Sequence, residues 1–248
     1  MDIVEKPLLI KDLVILGQAA PVEISKGRKS ICTVGWSPTH GLIRLYPVPV
    51  NARPRWWKIV EVPVVRNKQD VRYESWKIHG SKEEWNELYK KIKIVGELKS
   101  KSEKTNLLSR LIKEYGYGCV NELNKQKGSL GFITPKDLQP HFAKRTKYDS
   151  TIQITLDSDF KMKTSGNYPI IPKIKYRCLN CLAKKGHDQQ VLEWGAYEAM
   201  RKNPDSPEVV WENYHIGDPD WEHYFLVGNM AYRLTSFMII SVFRFKKI

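Results

Sequence analysis

The stretch GLIRLYPVPV, Gly41–Val50, decides how this chain is read. Leu42, Ile43, Leu45 and Val48 mark a buried strand, yet Arg44 stands in the middle of it. Pro47 and Pro49 cannot donate ladder hydrogen bonds, so they mark a strand end, an edge or a bulge. Working outward, Leu8–Leu16, Ser30–Trp36 and Lys58–Val65 are equally rich in Val, Ile, Leu and aromatic residues, and SPTHG (Ser37–Gly41) is a turn. Four short strands at this spacing predict a small barrel or sandwich, and the oligonucleotide-binding (OB) barrel is the obvious small candidate.

The middle of the chain changes character. Ser81 and Glu84 have the spacing of a capping box, and Trp85, Leu88, Tyr89 and Ile92 come after it at helical spacing. A second helix is predicted over Glu103–Tyr115 through Leu107, Leu108, Leu111 and Ile112, with the lysine-rich KIKIVGELKSKSEK as a polar connector. YGYG ends this region, and LGFITP is a return strand. Further strands are predicted over Thr151–Leu156, Ile170–Cys178, Val209–Trp211, Tyr224–Val227 and Ser236–Phe245, with a helix over Gln189–Arg201. The fold class expected is mixed and mainly β with helical insertions, as two small OB-like barrels in tandem. The expected domains are residues 1–148, with a helical insert at 81–117, and residues 149–248.

At 248 residues, with 42% hydrophobic side chains, the chain can bury a core. Its 41 Lys and Arg against 27 Asp and Glu give a net charge of +14, which favours polyanionic partners. The charge is segregated. Glu23 to Glu61 encloses Lys26, Arg28, Lys29, Arg44, Arg53, Arg55 and Lys58 with no acid between, and Lys161–Lys185 is likewise acid-free. Asn203–Tyr232 has neither Lys nor Arg but carries Asp205, Glu208, Glu212, Asp218, Asp220 and Glu222. That acidic segment suits a protein partner or an internal charge balance. The N-terminal stretch is interrupted by Asp2, Glu5, Lys11 and Asp12, and no apolar run reaches the roughly 20 residues of a membrane span. Four cysteines are too sparse for a disulfide scaffold, so a cytoplasmic location without membrane insertion is expected.

Three constellations carry chemistry. CLNCLAKKGH places Cys178, Cys181 and His187 where a tight turn brings thiolates and an imidazole onto one zinc ion. Tetrahedral zinc needs a fourth ligand, and the spacing forces none of Cys119, His215 or His223; a reduced cysteine pair packed as small hydrophobes is the plainer reading. RPRWWK combines guanidinium forks for phosphates with indole faces on which bases stack. The nucleic-acid-binding set expected is Arg28, Lys29, Arg44, Arg53, Arg55, Trp56, Trp57 and Lys58, joined by Lys173, Lys175 and Arg177. In DVRYESWKIHG, Asp70, Glu74 and Lys77 have the residue types of a metal-dependent nuclease, but internal pairs of Asp70 with Arg72 and Glu74 with Arg44 explain them as well. A lone His187-Asp188 is a weak phosphohydrolase signature, and nothing compels catalysis.

GLIRLYPVP, WWKIVEVPV and DVRYESWKI, with YRCLNCLAKKGHDQQVLEWGAYE and the ending YFLVGNMAYRLTSFMIISVF, resemble a prokaryotic family described as carrying a dual OB-fold domain. That family is linked with defence and nucleic-acid processing systems. By analogy, a basic protein of this size is similar to the accessory subunits of short prokaryotic Argonautes, which help clamp a guide–target duplex. The resemblance implies a non-catalytic subunit bound to nucleic acid (guide RNA, DNA target or both) and to a larger protein. A metal-dependent nuclease and a structural adaptor are the alternatives.

Overall fold

The computed structural model describes residues 6–25, 28–145 and 165–247. The expected strand Thr151–Leu156 lies outside them, as do Lys26, Lys161 and Lys163. The protein is mainly β and divides into two compact units. The first runs to Ala19 and from Ile24 to Glu114; the second holds Ala20–Glu23 and the chain from Tyr115 onward. The division at Glu114 falls well before the expected 148/149 boundary. The reason is that LGFITP and the strand after it join sheets of the second unit.

The first unit contains β1 (Leu8–Gln18), β3 (Arg28–Ser37), β4 (Gly41–Pro49), β5 (Lys58–Arg66), β6 (Ser75–Ile78) and β7 (Lys93–Glu97), and the short β2 (Val22–Ser25), paired with β3, spans the division at Glu23 and Ile24. β1 pairs with β3, β3 with β4, β4 in parallel with β6, β6 with β5, and β5 returns to β1, closing a five-stranded barrel. Ile10, Leu13, Val34, Ile43, Leu45, Val60, Val62, Val64 and Ile78 are buried. Burying so many branched side chains is the main drive to closure, at roughly 25 cal/mol per Å² of apolar surface. In the SPTHG turn, the Ser37 hydroxyl accepts the Thr39 and His40 N–H groups, and Gly41 takes φ +71°.

The expected insert is only partly helical. Ser81 and Glu84 do form the reciprocal box, with the Ser81 N–H donating to Glu84 at 2.7 Å and the Glu84 N–H to Ser81 Oγ at 3.4 Å. The box opens a 3-10 helix, Trp85–Lys91, that buries Leu88. The expected connector holds a strand and the start of the next helix: β7 (Lys93–Glu97) adds to the barrel sheet beside β5. A second box, Ser100 with Glu103, opens α1 (Lys101–Tyr115), which buries Leu108 and Leu111.

The second unit contains β8 (Gly116–Tyr117), α2 (Val120–Lys125), β9 (Leu130–Ile133), β10 (Pro135–Lys144), β11 (Ile170–Cys178), β12 (His187–Gln190), α3 (Trp194–Lys202), α4 (Val209–Asn213), β13 (Trp221–Met230) and β14 (Arg233–Lys246). Its described strands form a three-stranded sheet, β10-β11-β12, and a four-stranded sheet, β14-β13-β9-β8. Ile174, Tyr176, Val191, Tyr197, Trp211, Phe225 and Ile239 share its core. The expected helix over Gln189–Arg201 starts late, because Gln189 and Gln190 pair with Ile174 and Lys173 in the sheet. Val209–Trp211 is helical rather than extended: after Pro207 a single turn buries both Val210 and Trp211, overriding β-propensity. Among the described residues, no helix is long and apolar enough to cross a membrane.

A candidate metal centre and a basic sheet face

β11 ends at Cys178, the chain turns through Cys181, and β12 begins at His187. The turn depends on Gly186, which has φ +72°; a Cβ there would lie 2.6 Å from the Tyr176 carbonyl oxygen, so only glycine fits. The fourth group comes from far upstream. Cys119, at the N-cap of α2, brings its sulfur into the cluster, and the donor atoms of Cys119, Cys178, Cys181 and His187 all lie within 4.8 Å of one another. Cys119 Sγ and His187 Nε2 are 3.4 Å apart. Tetrahedral zinc, with Zn–S about 2.3 Å and Zn–N about 2.05 Å, needs a sulfur–nitrogen separation of about 3.5 Å. The four residues could therefore hold a metal ion.

The surroundings treat the thiols differently. Burial pushes the Cys119 thiol up, but N–H donors from Leu182, 3.4 Å away, and Asn121 outweigh it and bring it below its ordinary range. Cys178 is pushed far up by burial, with the nearby thiols adding to the rise. Burial also lowers the His187 imidazole, which keeps it neutral and able to donate a lone pair. Three sulfurs crowded in a small buried space repel one another as thiolates unless a cation sits between them. All four cysteines of the protein are free thiols.

The same hairpin carries a row of cations. Along β11, Ile174, Tyr176 and Cys178 point inward, so Lys173, Lys175 and Arg177 alternate onto the outer face. Register places Lys136 of β10 beside Arg177, Gln139 beside Lys175 and His141 beside Lys173; on the other side, β12 places Asp188 beside Lys175. This face thus holds four cations (Lys136, Lys173, Lys175, Arg177) against one carboxylate, Asp188. That carboxylate bridges Lys173 Nζ at 2.7 Å and His141 Nε2 at 3.0 Å, and it is held below its usual range: partial burial raises it, but the bonds to Lys173 and His141 win. His187 and Asp188, adjacent in sequence, point to opposite sides of β12, which removes the phosphohydrolase reading. Lys136 and His141 escape a reading of the sequence alone because only the register of β10 places them beside β11.

The barrel set fares differently. Arg44 is 3% exposed, 4.0 Å from the equally buried Glu74, with Nη1 3.6 Å from the Cys32 sulfur. It belongs to the interior, and its expected contact with phosphate is withdrawn. Asp70 grips Arg72 through both oxygens, at 2.8 and 2.5 Å, and accepts Ser75 Oγ. Burial raises the Asp70 carboxyl, but these bonds bring it down to about 2. Asp70 and Glu74 are thus structural ion pairs rather than metal-holding carboxylates. Among the described residues, the only His/Cys/Asp/Glu cluster with metal-binding spacing is the Cys3His group.

Lys58 Nζ reaches Glu97 of β7 at 2.5 Å, and Arg53 Nε donates to Gln18 at 3.0 Å. Trp56 and Trp57 are half-buried, and the Lys104 ammonium of α1 lies 5.9 Å from the Trp57 ring centre. Trp57 also holds a left-handed backbone, φ +66°, fixed by its N–H donating to the Ile15 carbonyl and its own carbonyl accepting from Leu98. Arg28, Arg53 and Arg55 are exposed and Lys29 is half-buried.

A family model described as a domain of unknown function, DUF8758, matches residues 10–110. The match covers most of the barrel unit and ends before Cys119, so neither the Cys3His cluster nor the basic sheet falls within it. No curated protein matches the chain.

Proposed function

We propose that the protein is a non-catalytic nucleic-acid-binding subunit that contacts the phosphate backbone through the outer face of β10-β11-β12, with a zinc ion bound by Cys119, Cys178, Cys181 and His187 as the staple of that sheet. One observation carries the reading: Lys136, Lys173, Lys175 and Arg177 converge on one sheet face at the end tied down by the Cys3His cluster. Cations at alternate positions of a strand stand about 6.5–7 Å apart, the repeat at which single-strand phosphates pass. Such contacts give affinity and register without base preference. The tandem OB-like description stays part of the proposal, with the closed barrel of the first unit as its support. So does the role of accessory subunit to a larger cytoplasmic defence protein, a short Argonaute by analogy, for which the acidic segment Asp205–Glu222 offers a docking surface; co-purification tests it.

The test of the main claim is salt-dependent binding to a labelled oligonucleotide. Lys175→Glu with Arg177→Glu weakens binding and reduces the slope of log K against log salt by about 2. Affinity indifferent to salt overturns the reading. Elemental analysis of protein purified without chelator finds one zinc per chain; a content near zero removes the staple.

A further inference from the structure

The cation row of β11 is continued past the end of the strand by an apolar side chain. The Leu179 N–H donates to the Thr134 carbonyl at 3.1 Å, so pairing with the β10 side of the sheet runs one residue beyond Cys178. Cys178 is buried, and alternation therefore puts Leu179 on the side of Lys173, Lys175 and Arg177. Leu179 is 50% exposed, and Leu182, on the same turn, is 57% exposed.

The turn that presents them is pinned at several points. Besides Leu179 on Thr134, the Asn180 N–H donates to the Gly118 carbonyl at 3.0 Å and the Leu182 N–H to the Cys119 sulfur at 3.4 Å. Arg177 Nη1 donates to the Lys184 carbonyl at 3.4 Å, which ties the far side of the turn to the strand. One exposed leucine is ordinary, but two on a single fixed turn at the end of a row of cations form a preorganised apolar surface.

The charges around this surface indicate its occupant. Between Cys178 and His187 the charged residues are Lys184 and Lys185, and Arg177 and Lys136 stand side by side on the adjoining sheet. On the Asn180 side lies one carboxylate, Glu122, whose Oε2 accepts the Gly118 N–H at 3.0 Å and whose Oε1 accepts from Gln126 at 3.3 Å. An apolar surface framed by cations suits a polymer with an anionic backbone and apolar faces. We infer that Leu179 and Leu182 pack against unstacked bases of a strand whose phosphates lie on the basic face, and so make the protein favour single strands over duplex. In a duplex the base faces are covered by their neighbours, and reaching them costs unstacking. In a single strand they are accessible, and every base has one, so the contact is blind to sequence. This rests on the proposed backbone contact.

The experiment measures binding of dA12, rA12 and their duplexes by fluorescence anisotropy, with 2-aminopurine inside the strand to report unstacking. The wild-type protein prefers a single strand over its duplex about tenfold, and 2-aminopurine brightens on binding. Leu179→Ala with Leu182→Ala cancels the preference and the brightening, while duplex affinity and the slope of log K against log salt stay unchanged. Leu179→Met with Leu182→Met retains the preference. Equal binding of strand and duplex by the wild type overturns the inference; so do alanine variants that keep the preference, a result that leaves the turn to a protein partner. Lys175→Glu with Arg177→Glu lowers both affinities and the salt slope, so a failed backbone reading shows in the slope and a failed leucine contact in the ratio. If no strand binds, both fall together. Thermal melts of each variant separate lost contact from lost fold.

Discussion

The two units handle their arginines and lysines in opposite ways. In the barrel, Arg44 and Arg72 lie inside with Glu74 and Asp70, and Lys58 is tied to Glu97. In the second unit, Lys175 and Arg177 stand on an outer sheet face whose inner side is apolar. The same residue types therefore hold the barrel together and coat the sheet. An acid-free stretch of sequence does not place every one of its cations on an open surface, because partners arrive from elsewhere in the chain. Glu74 and Glu97 both lie beyond the first acid-free stretch, and both reach back into it.

The largest break in this contrast comes from the Cys3His cluster. Cys119→Ser removes the sulfur that the N-cap of α2 brings to the β11–β12 turn. On the proposed zinc reading, metal binding at a structural site is folding free energy, so the variant loses the metal and the second unit melts earlier, while the barrel transition stays in place. Calorimetry separates the two transitions, and titration with a strong chelator reproduces the effect in the wild type. If both units melt unchanged, the cluster is not a staple.

Next in size is the barrel's interior pair. Burial raises the Glu74 carboxyl, and nearby Arg44 offsets this only in part. Truncating one member of such a pair typically costs about 3–5 kcal/mol, because the other charge stays buried alone. Glu74→Ala should therefore destabilise the barrel strongly. Glu74→Leu with Arg44→Met should recover most of the loss, and a double-mutant cycle in urea reads the difference. A surface role for Arg44 predicts instead that its replacement changes binding and not stability.

The third effect belongs to the second unit and depends on pH. Glu193 is buried, and burial raises it from 4.5 to about 7 although the Val242 N–H donates to it. Between those values the native state holds a proton that the unfolded chain has released, so stability falls as pH rises and the loss is complete above about 7. The span amounts to about 3 kcal/mol. Glu193→Gln keeps the acceptor for Val242 and flattens the profile between pH 4.5 and 7. A profile that stays steep in the variant assigns the effect to another group.

How much of the molecule is legible in its sequence depends on how local each signal is. The four strands around GLIRLYPVPV and the Ser81–Glu84 box rest on neighbours within a few residues, and the fold reproduces them. Cys178, Cys181 and His187 are legible for the same reason, being three candidate ligands on one turn. Cys119 is only one of several possible partners in the sequence, since its approach is set by the packing of α2. Strand β7 is hidden because its exposed Ile94 and Val95 are flanked by lysines that read as connector. The short α4 is hidden because Val209 and Val210 favour strands until Trp211 finds the core.

The smallest effect sharpens the contrast most. Lys58 sits between the tryptophan pair and the rest of β5, in the segment whose sequence looks most like a nucleic-acid grip, yet its ammonium is held by Glu97. That pair lies near the surface, where ion pairs contribute little to stability. Lys58→Ala should leave the barrel's melting midpoint unchanged. Because Lys58 is occupied, its loss should also reduce oligonucleotide affinity far less than the loss of Lys175, a residue of the same type on the open sheet. Measuring both variants at one salt concentration compares the two units directly. Equal losses would mean that the barrel releases Lys58 from Glu97 on binding, and Glu97→Gln would then raise affinity by removing the competing carboxylate. An unchanged affinity in Glu97→Gln confines polymer contact to the sheet.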